Sequence, residues 1–263
     1  MTGAEPISWI DMSLAALLLA INAGISLAFG MRLERSLAIA AVRMVLQLSA
    51  VGFVLKIVFA QTSPLWTALV GIIMALVAGF ELISRQDKRL RTLVTFGLGS
   101  GTLLLVGALG TLYTTAIVIG PTPWYAPRYV LPILGMVLGN ALTSASLVLQ
   151  TLNDAAERDR GVIENRLSLG ATRFTAFATI LARALKTAMT PLLNSMSVTG
   201  VVALPGMMTG QILAGADPSG AARYQIVIMF VLAGASGLGA LIAALGGVML
   251  ITDRRHRLRL GGA

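Results

Sequence analysis

Seven apolar stretches divide the chain, each close to the length that crosses a bilayer. They run roughly over residues 7–30, 37–60, 64–84, 93–119, 129–151, 187–213 and 222–251. About twenty consecutive, mostly apolar residues cover the hydrocarbon core as a helix. The spans of a β-barrel are short and strictly alternating, and none of these stretches has that pattern. The spacing predicts an all-α integral membrane protein of about seven transmembrane helices, forming one domain over 1–263 in a cell (inner) membrane. Hydrophobic residues make up 56% of the chain and charged residues 12%, about half the charge of an ordinary soluble domain. Lipid must solvate most of its outside.

The chain has a formal net charge of +9, and the basic residues alternate between loops. No Lys or Arg precedes the first stretch. Arg32 and Arg35 follow it, and the turn at 61–64 has none, with Lys56 just inside the preceding helix. The next loop carries Arg85, Lys88, Arg89 and Arg91, and the one after it only Arg128. Arg158, Arg160, Arg166 and Arg173 come next, then Arg223 alone, then Arg254, Arg255, Arg257 and Arg259. Cytoplasmic loops hold the excess of Lys and Arg. The alternation places the N-terminus outside and the C-terminus in the cytoplasm. The first stretch lacks the positive start of a cleavable leader and is expected to be a retained helix. Trp124, Tyr125 and Tyr129, in an outer loop, suit the headgroup layer.

Several chemistries are excluded or disfavoured. The chain has no cysteine, so disulfides and thiolate metal sites cannot form. Its only histidine is His256, in the basic tail. No basic run interleaves with aromatics as a nucleic-acid groove would, so no nucleic-acid partner is expected. None of the three lysines follows a glycine, so no phosphate-binding loop of the G-K-S/T kind exists.

The longest cytoplasmic loop, about 153–173, reads NDAAERDRGVIENRLSLGATR. Asp154 with Glu157 has the pattern of a helix-starting capping box. Gly170 can end a helix in the left-handed conformation, and Thr172 can cap the next one. Val162, Ile163 and Leu167 form a small apolar group among charges. Such a segment does not span; it lies at the surface and offers a side to something else.

The spacing from Glu164 to Gly170 to Ile180 resembles the EAA loop of ABC-transporter permeases. Asn165 and Arg166 stand where that motif has two alanines, and Ala182-Arg183 stands where it has Leu-Pro. The stretches LPILGMVLGNAL (131–142), ENRLSLGAT (164–172) and ALPGMMTGQILAGADPSGAARYQI (203–226) resemble the FetB-type family of ABC permeases assigned to iron export, whose plant relatives are linked to aluminium tolerance. The resemblance implies a permease that is not itself an enzyme. It implies a separate ABC ATP-binding subunit that holds ATP and magnesium, and a pairing of two permease copies. Coupling to the ATPase would then fall to Glu164, Arg166, Leu167, Gly170, Ala171 and Thr172.

Polar groups inside the membrane are costly and often functional. Arg43 and Glu81 lie near the cytoplasmic ends of their stretches, where long side chains snorkel. The alternatives are an ion pair between spans two and three, or a cation-attracting Glu81. Gln47 lies one turn deeper than Arg43. Asn140, after Gly135-x3-Gly139, suits either helix packing or a translocation pathway. Gly97/Gly101 and Gly234/Gly237 are expected to mark further packing faces. Pro205-Gly206 should break span six, and Met207, Met208 and Thr209 follow directly; interrupted helices often sit at transport sites. Asp217-Pro218 reads as a helix start and an outer-gate candidate. No metal-ligand set is assigned.

Two other classes compete with an ATP-driven permease. An ion-gradient-driven transporter commonly carries internal repeats, and none is evident. A membrane-embedded enzyme needs a paired acid/base or nucleophile set at one depth, and the titratable residues are too scattered for that.

Overall fold

A computed structural model describes residues 8–60, 63–86, 93–253 and 257–258. Its described residues are almost wholly helical: α1 (Trp9–Ala28), α2 (Glu34–Phe59), α3 (Pro64–Ser84), α4 (Leu93–Leu112) with a π-helical continuation (Tyr113–Ile119), α5 (Pro127–Arg158), α6 (Arg160–Ser168), α7 (Arg173–Val198), α8 (Gly206–Leu213) and α9 (Pro218–Ile251). Six of the helices, α1 to α5 and α9, are long and apolar enough to cross a membrane.

The first five apolar stretches and the seventh correspond to these six. The sixth does not form one helix. α7 begins far upstream of 187 and carries Arg173, Arg183 and Lys186 ahead of that position. It ends at Val198, and the chain turns through Thr199–Pro205 before the short α8. Gly200 makes the turn with φ +89°, and its amide donates to the Ala203 carbonyl at 2.9 Å. The break expected at Pro205-Gly206 is present and lies just ahead of α8.

The chain divides into two compact units, 1–62 with 210–216 and 63–209 with 217–263. In the first, α1 starts on a capping box in which Ser8 and Asp11 bond reciprocally. Buried Ser26 fastens the α1–α2 turn. Its hydroxyl donates to Glu34 Oε2 at 2.9 Å and accepts the Leu33 amide at 2.8 Å. α2 exposes nearly every side chain along its length.

The second unit is a bundle around α5, which packs along α9 and touches α3, α4 and α7. Its main core joins residues such as Leu103, Val106, Val137, Leu138 and Ile228. The helices approach closely where glycine removes a side chain. A Cβ on Gly79 would lie 2.8 Å from the Cα of Ser100 on α4. A Cβ on Gly247 would lie 2.8 Å from a Leu149 methyl on α5, and Gly107 on α4 meets Leu138 on α5 in the same way at 2.9 Å. The expected faces at Gly97/Gly101 and Gly234 are open instead, and Gly139 has nothing within 4 Å. Glycine spacing alone does not reveal which side of a helix faces a neighbour.

Two smaller clusters continue the core. Val148, Ala184, Ala188, Ala240 and Ala244 form a seam of small side chains between α5, α7 and α9. Beyond it lie Leu152, Ala155, Ala156, Ile163, Phe177, Ile180, Val248 and Ile251. This end cluster corrects one expectation. Asp154 and Glu157 do not start a helix; both lie inside α5, which continues to Arg158. Leu152, Ala155 and Ala156 are buried on that last stretch, and their packing carries the helix through a sequence that could have capped a new one. The basic residues Lys88, Arg89, Arg91, Arg254, Arg255 and Arg259, and His256, lie outside the described residues.

Candidate coupling surface and transport residues

α6 is a nine-residue helix docked on the end of the bundle. Ile163 and Leu167, one turn apart, share a face. Ile163 is 1% exposed, and Leu167 packs against the same end cluster. Gly161, Val162, Glu164, Asn165 and Ser168 are exposed on the rest of the helix. Of the three apolar residues singled out in the sequence, Val162 therefore faces outward. Glu164 accepts from Arg160 Nε at 2.8 Å; an exposed pair of this kind orients both side chains but adds only ~0–1 kcal/mol.

The turn after α6 is a Schellman motif. The Ala171 amide donates to the Arg166 carbonyl and the Gly170 amide to the Leu167 carbonyl, both at 3.1 Å. Gly170 takes φ +88°, a conformation that costs a residue with a Cβ ~1–2 kcal/mol. Thr172 caps α7, its hydroxyl accepting from the Thr175 amide at 3.3 Å. Arg166 crosses the turn, and its Nη1 donates to the Ala176 carbonyl at 3.2 Å. Ile180, the last residue of the EAA-like spacing, is buried in the end cluster. Glu164, Arg166, Leu167, Gly170, Ala171 and Thr172 thus form one local assembly. Glu164, paired with Arg160, presents the outward charge, and the others fix the angle between α6 and α7. Phe177 is fully buried beneath them.

The pathway candidates are divided between the two compact units. Arg43 and Gln47 are exposed on α2, beside Ile39, Val42 and Leu46. Arg43 belongs to the first compact unit and Glu81 to the second. Within its own unit Glu81 pairs with Arg85 at 3.4 Å, one turn along α3. Asn140 is half-buried, and its Nδ2 donates to the Met136 carbonyl of its own helix at 2.9 Å. Pro205 precedes α8 and Gly206 opens it. Met207 packs against the main core, and Met208 is half-buried beside it in sequence. The Thr209 hydroxyl returns to the Gly206 carbonyl at 3.0 Å. No group of three or more His, Asp, Glu or Cys could hold a metal ion among the described residues.

A polar seam between α3 and α5 escaped the sequence reading. Buried Gln86 donates to the Leu82 carbonyl at 3.3 Å and reaches the Ser146 hydroxyl at 3.5 Å. Gln150, one turn from Ser146, donates to the Arg85 carbonyl at 3.1 Å. The only signal for it was the i, i+4 spacing of Ser146 and Gln150 on an otherwise apolar helix.

Asp217 caps α9. Its Oδ2 accepts the Ser219 hydroxyl at 2.7 Å and the Gly220 amide at 2.9 Å. These two bonds, the Ser219 one first, hold the carboxyl below its ordinary 3.8. A depressed carboxylate favours the folded helix start at neutral pH, and the advantage is lost as the pH falls below 3.8. Asp217→Asn should raise hydrogen exchange at Gly220 at neutral pH. Its difference from the parent chain should vanish in acid, as read by exchange mass spectrometry.

The model of the uncharacterised protein family UPF0014 matches residues 9–250. The UPF0014 membrane protein slr1647 of Synechocystis is 38% identical over 206 residues, which cover 77% of this chain and 78% of that one. Protein ALUMINUM SENSITIVE 3 of Arabidopsis thaliana is 33% identical over 237 residues, 90% of this chain and 82% of its own. The probable iron export permease protein FetB of Escherichia coli is 31% identical over 248 residues, 94% and 93% of the two chains. No solved structure matches the chain. With a match that runs from the start of α1 nearly to the end of α9, this multi-pass helical membrane protein belongs to the UPF0014 family.

Proposed function

We propose that the chain is the membrane-spanning subunit of an ATP-driven ABC exporter, with metal ions as cargo. A separate ATP-binding subunit would supply hydrolysis, and two copies of the permease would complete the membrane part. The N-terminus lies outside and the C-terminus in the cytoplasm, on the strength of the loop charges. The observation that carries the reading is α6: a polar, exposed helix whose anchoring face is locked to the ends of α5, α7 and α9. A partner that moves α6 moves those helices with it. The relative FetB, named for iron export, supports iron as the cargo.

Mechanically, closure of the ATPase pushes on α6. The end cluster passes the displacement to α5 and to the start of α7, and the permeation route changes from inward-open to outward-open. The test is co-purification of the full chain with a stand-alone ATPase bearing a phosphate loop, then reconstitution in vesicles. ATP should drive iron across the membrane. Glu164→Lys and Gly170→Val should each reduce transport at least tenfold while leaving the chain in the membrane and the ATPase active. A chain that ignores the ATPase, with both variants transporting normally, overturns the proposal.

A further inference from the structure

The second unit holds a cavity of about 330 Å³ between α3, α4 with its π-helical turn, and the first turns of α5. It lies at the end of the bundle opposite α6. Its walls are almost wholly apolar, yet two of them carry hydroxyls with no partner. Thr67 is 4% exposed and Thr111 is 3% exposed, and neither Oγ1 makes a hydrogen bond. A helical threonine ordinarily returns its hydroxyl to the carbonyl one turn back. Thr114 and Thr115, in the adjoining π-helical turn, do so at 2.6 Å and 2.9 Å. Thr67 and Thr111 line the cavity and remain unsatisfied, and a buried hydroxyl left without a partner is unfavourable. The π-helical continuation of α4 adjoins the cavity through Thr115.

The mouth shows where an occupant comes from. Ile72, Leu104 and Leu112 line the cavity and are also exposed on the outer surface of α3 and α4. Those helices are long and apolar enough to cross a membrane, which puts these exposed side chains at hydrocarbon depth. Trp124 and Tyr125, packed edge to face with ring centres 5.7 Å apart, close the end that lies nearest the loop before α5. Amphipathic rings of this kind sit at headgroup level. The cavity therefore descends from headgroup depth along an apolar wall and offers two hydroxyl donors.

We infer that this cavity is a binding site for one acyl chain with its carbonyl group, the chain lying along the apolar walls and the carbonyl oxygen accepting from Thr67 or Thr111. The chain can belong to a bilayer phospholipid or to a free fatty acid. The site is separate from α6 and does not depend on the export reading.

The full-length protein, stripped of lipid in detergent, would be titrated with dipalmitoyl phosphatidylethanolamine and separately with palmitate. Native mass spectrometry counts the bound equivalents. The parent chain should hold one saturable equivalent. Ala108→Phe, which fills the cavity, should remove it, and the double variant T67V/T111V, which keeps the shape, should weaken it about tenfold. Binding of the phospholipid assigns a bilayer source; binding of palmitate alone assigns the free acid. Equal binding by the parent chain and both variants means an ordinary lipid annulus and overturns the inference. Should Ala108→Phe fail to fold, T67V/T111V decides, and unchanged affinity in that variant overturns it.

Discussion

Phe177→Ala should destabilise the protein by about 3–5 kcal/mol, the range for emptying a fully buried aromatic site. Phe177 is 0% exposed and sits on α7 in the cluster that joins α5, α6 and α9. The lost ring removes the floor under Ile163 and Leu167. The effect should therefore be uneven: α6 loosens before the main core, because Leu103, Val137 and their neighbours form a separate cluster. Trypsin reports this directly. Arg160 is exposed and Arg166 half-buried on α6, so cleavage there should rise many-fold in the variant below its melting temperature. Melting followed by tryptophan fluorescence in detergent gives the global loss. Ile163→Val, which removes one methylene from the same cluster, should cost only ~0.5–1.5 kcal/mol. If cleavage at Arg166 is unchanged in Phe177→Ala, the end cluster is not what holds α6.

Gly79→Val should be equally severe for a different reason. The first carbon of any side chain at 79 meets the α4 backbone, with Ser100 Cα at 2.8 Å, and a backbone cannot rotate away as a side-chain tip can. Overpacking typically costs ~1–3 kcal/mol, and a branched side chain against backbone belongs at or above the top of that range. α3 and α4 must separate, which also opens the Gly99–Leu82 contact, where a Cβ would come within 2.8 Å. Gly97→Val is the control, because nothing lies within 4 Å of that position. Thermal melting of the two variants side by side checks the contrast. Equal stability would mean that α3 and α4 do not approach at Gly79.

That contrast also marks what the sequence could and could not disclose. The apolar stretches located six helices closely; the stretch 64–84 coincides with α3. Length and polarity decide a membrane helix, and both are local properties. The end of α6 and the start of α7 were equally legible. Gly170 and Thr172 act through their own backbone and first turn, and the structure places them as expected. Asp154 failed because its capping pattern competed with burial of Ala155 and Ala156, which depends on helices distant in sequence. The glycine faces failed for the same reason: Gly79, Gly107 and Gly247 were indistinguishable from Gly97 and Gly101 until the partners were known. Asn140 kept two readings open, and its amide turned out to be bonded within α5.

The alanine seam gives the bundle a mechanical property. Where α7 meets α9, Ala184, Ala188, Ala240 and Ala244 face one another with Val148 of α5 beside them, and Leu147, Leu181 and Leu185 pack only at the edge. Interlocked leucines act as teeth that resist translation; bare methyl groups do not. Shear between packed helices proceeds through small slides of this kind. The seam lies between the end cluster and the main core, so under the proposed coupling a displacement of α6 would reach the main core through it, as a slide of one helix along another.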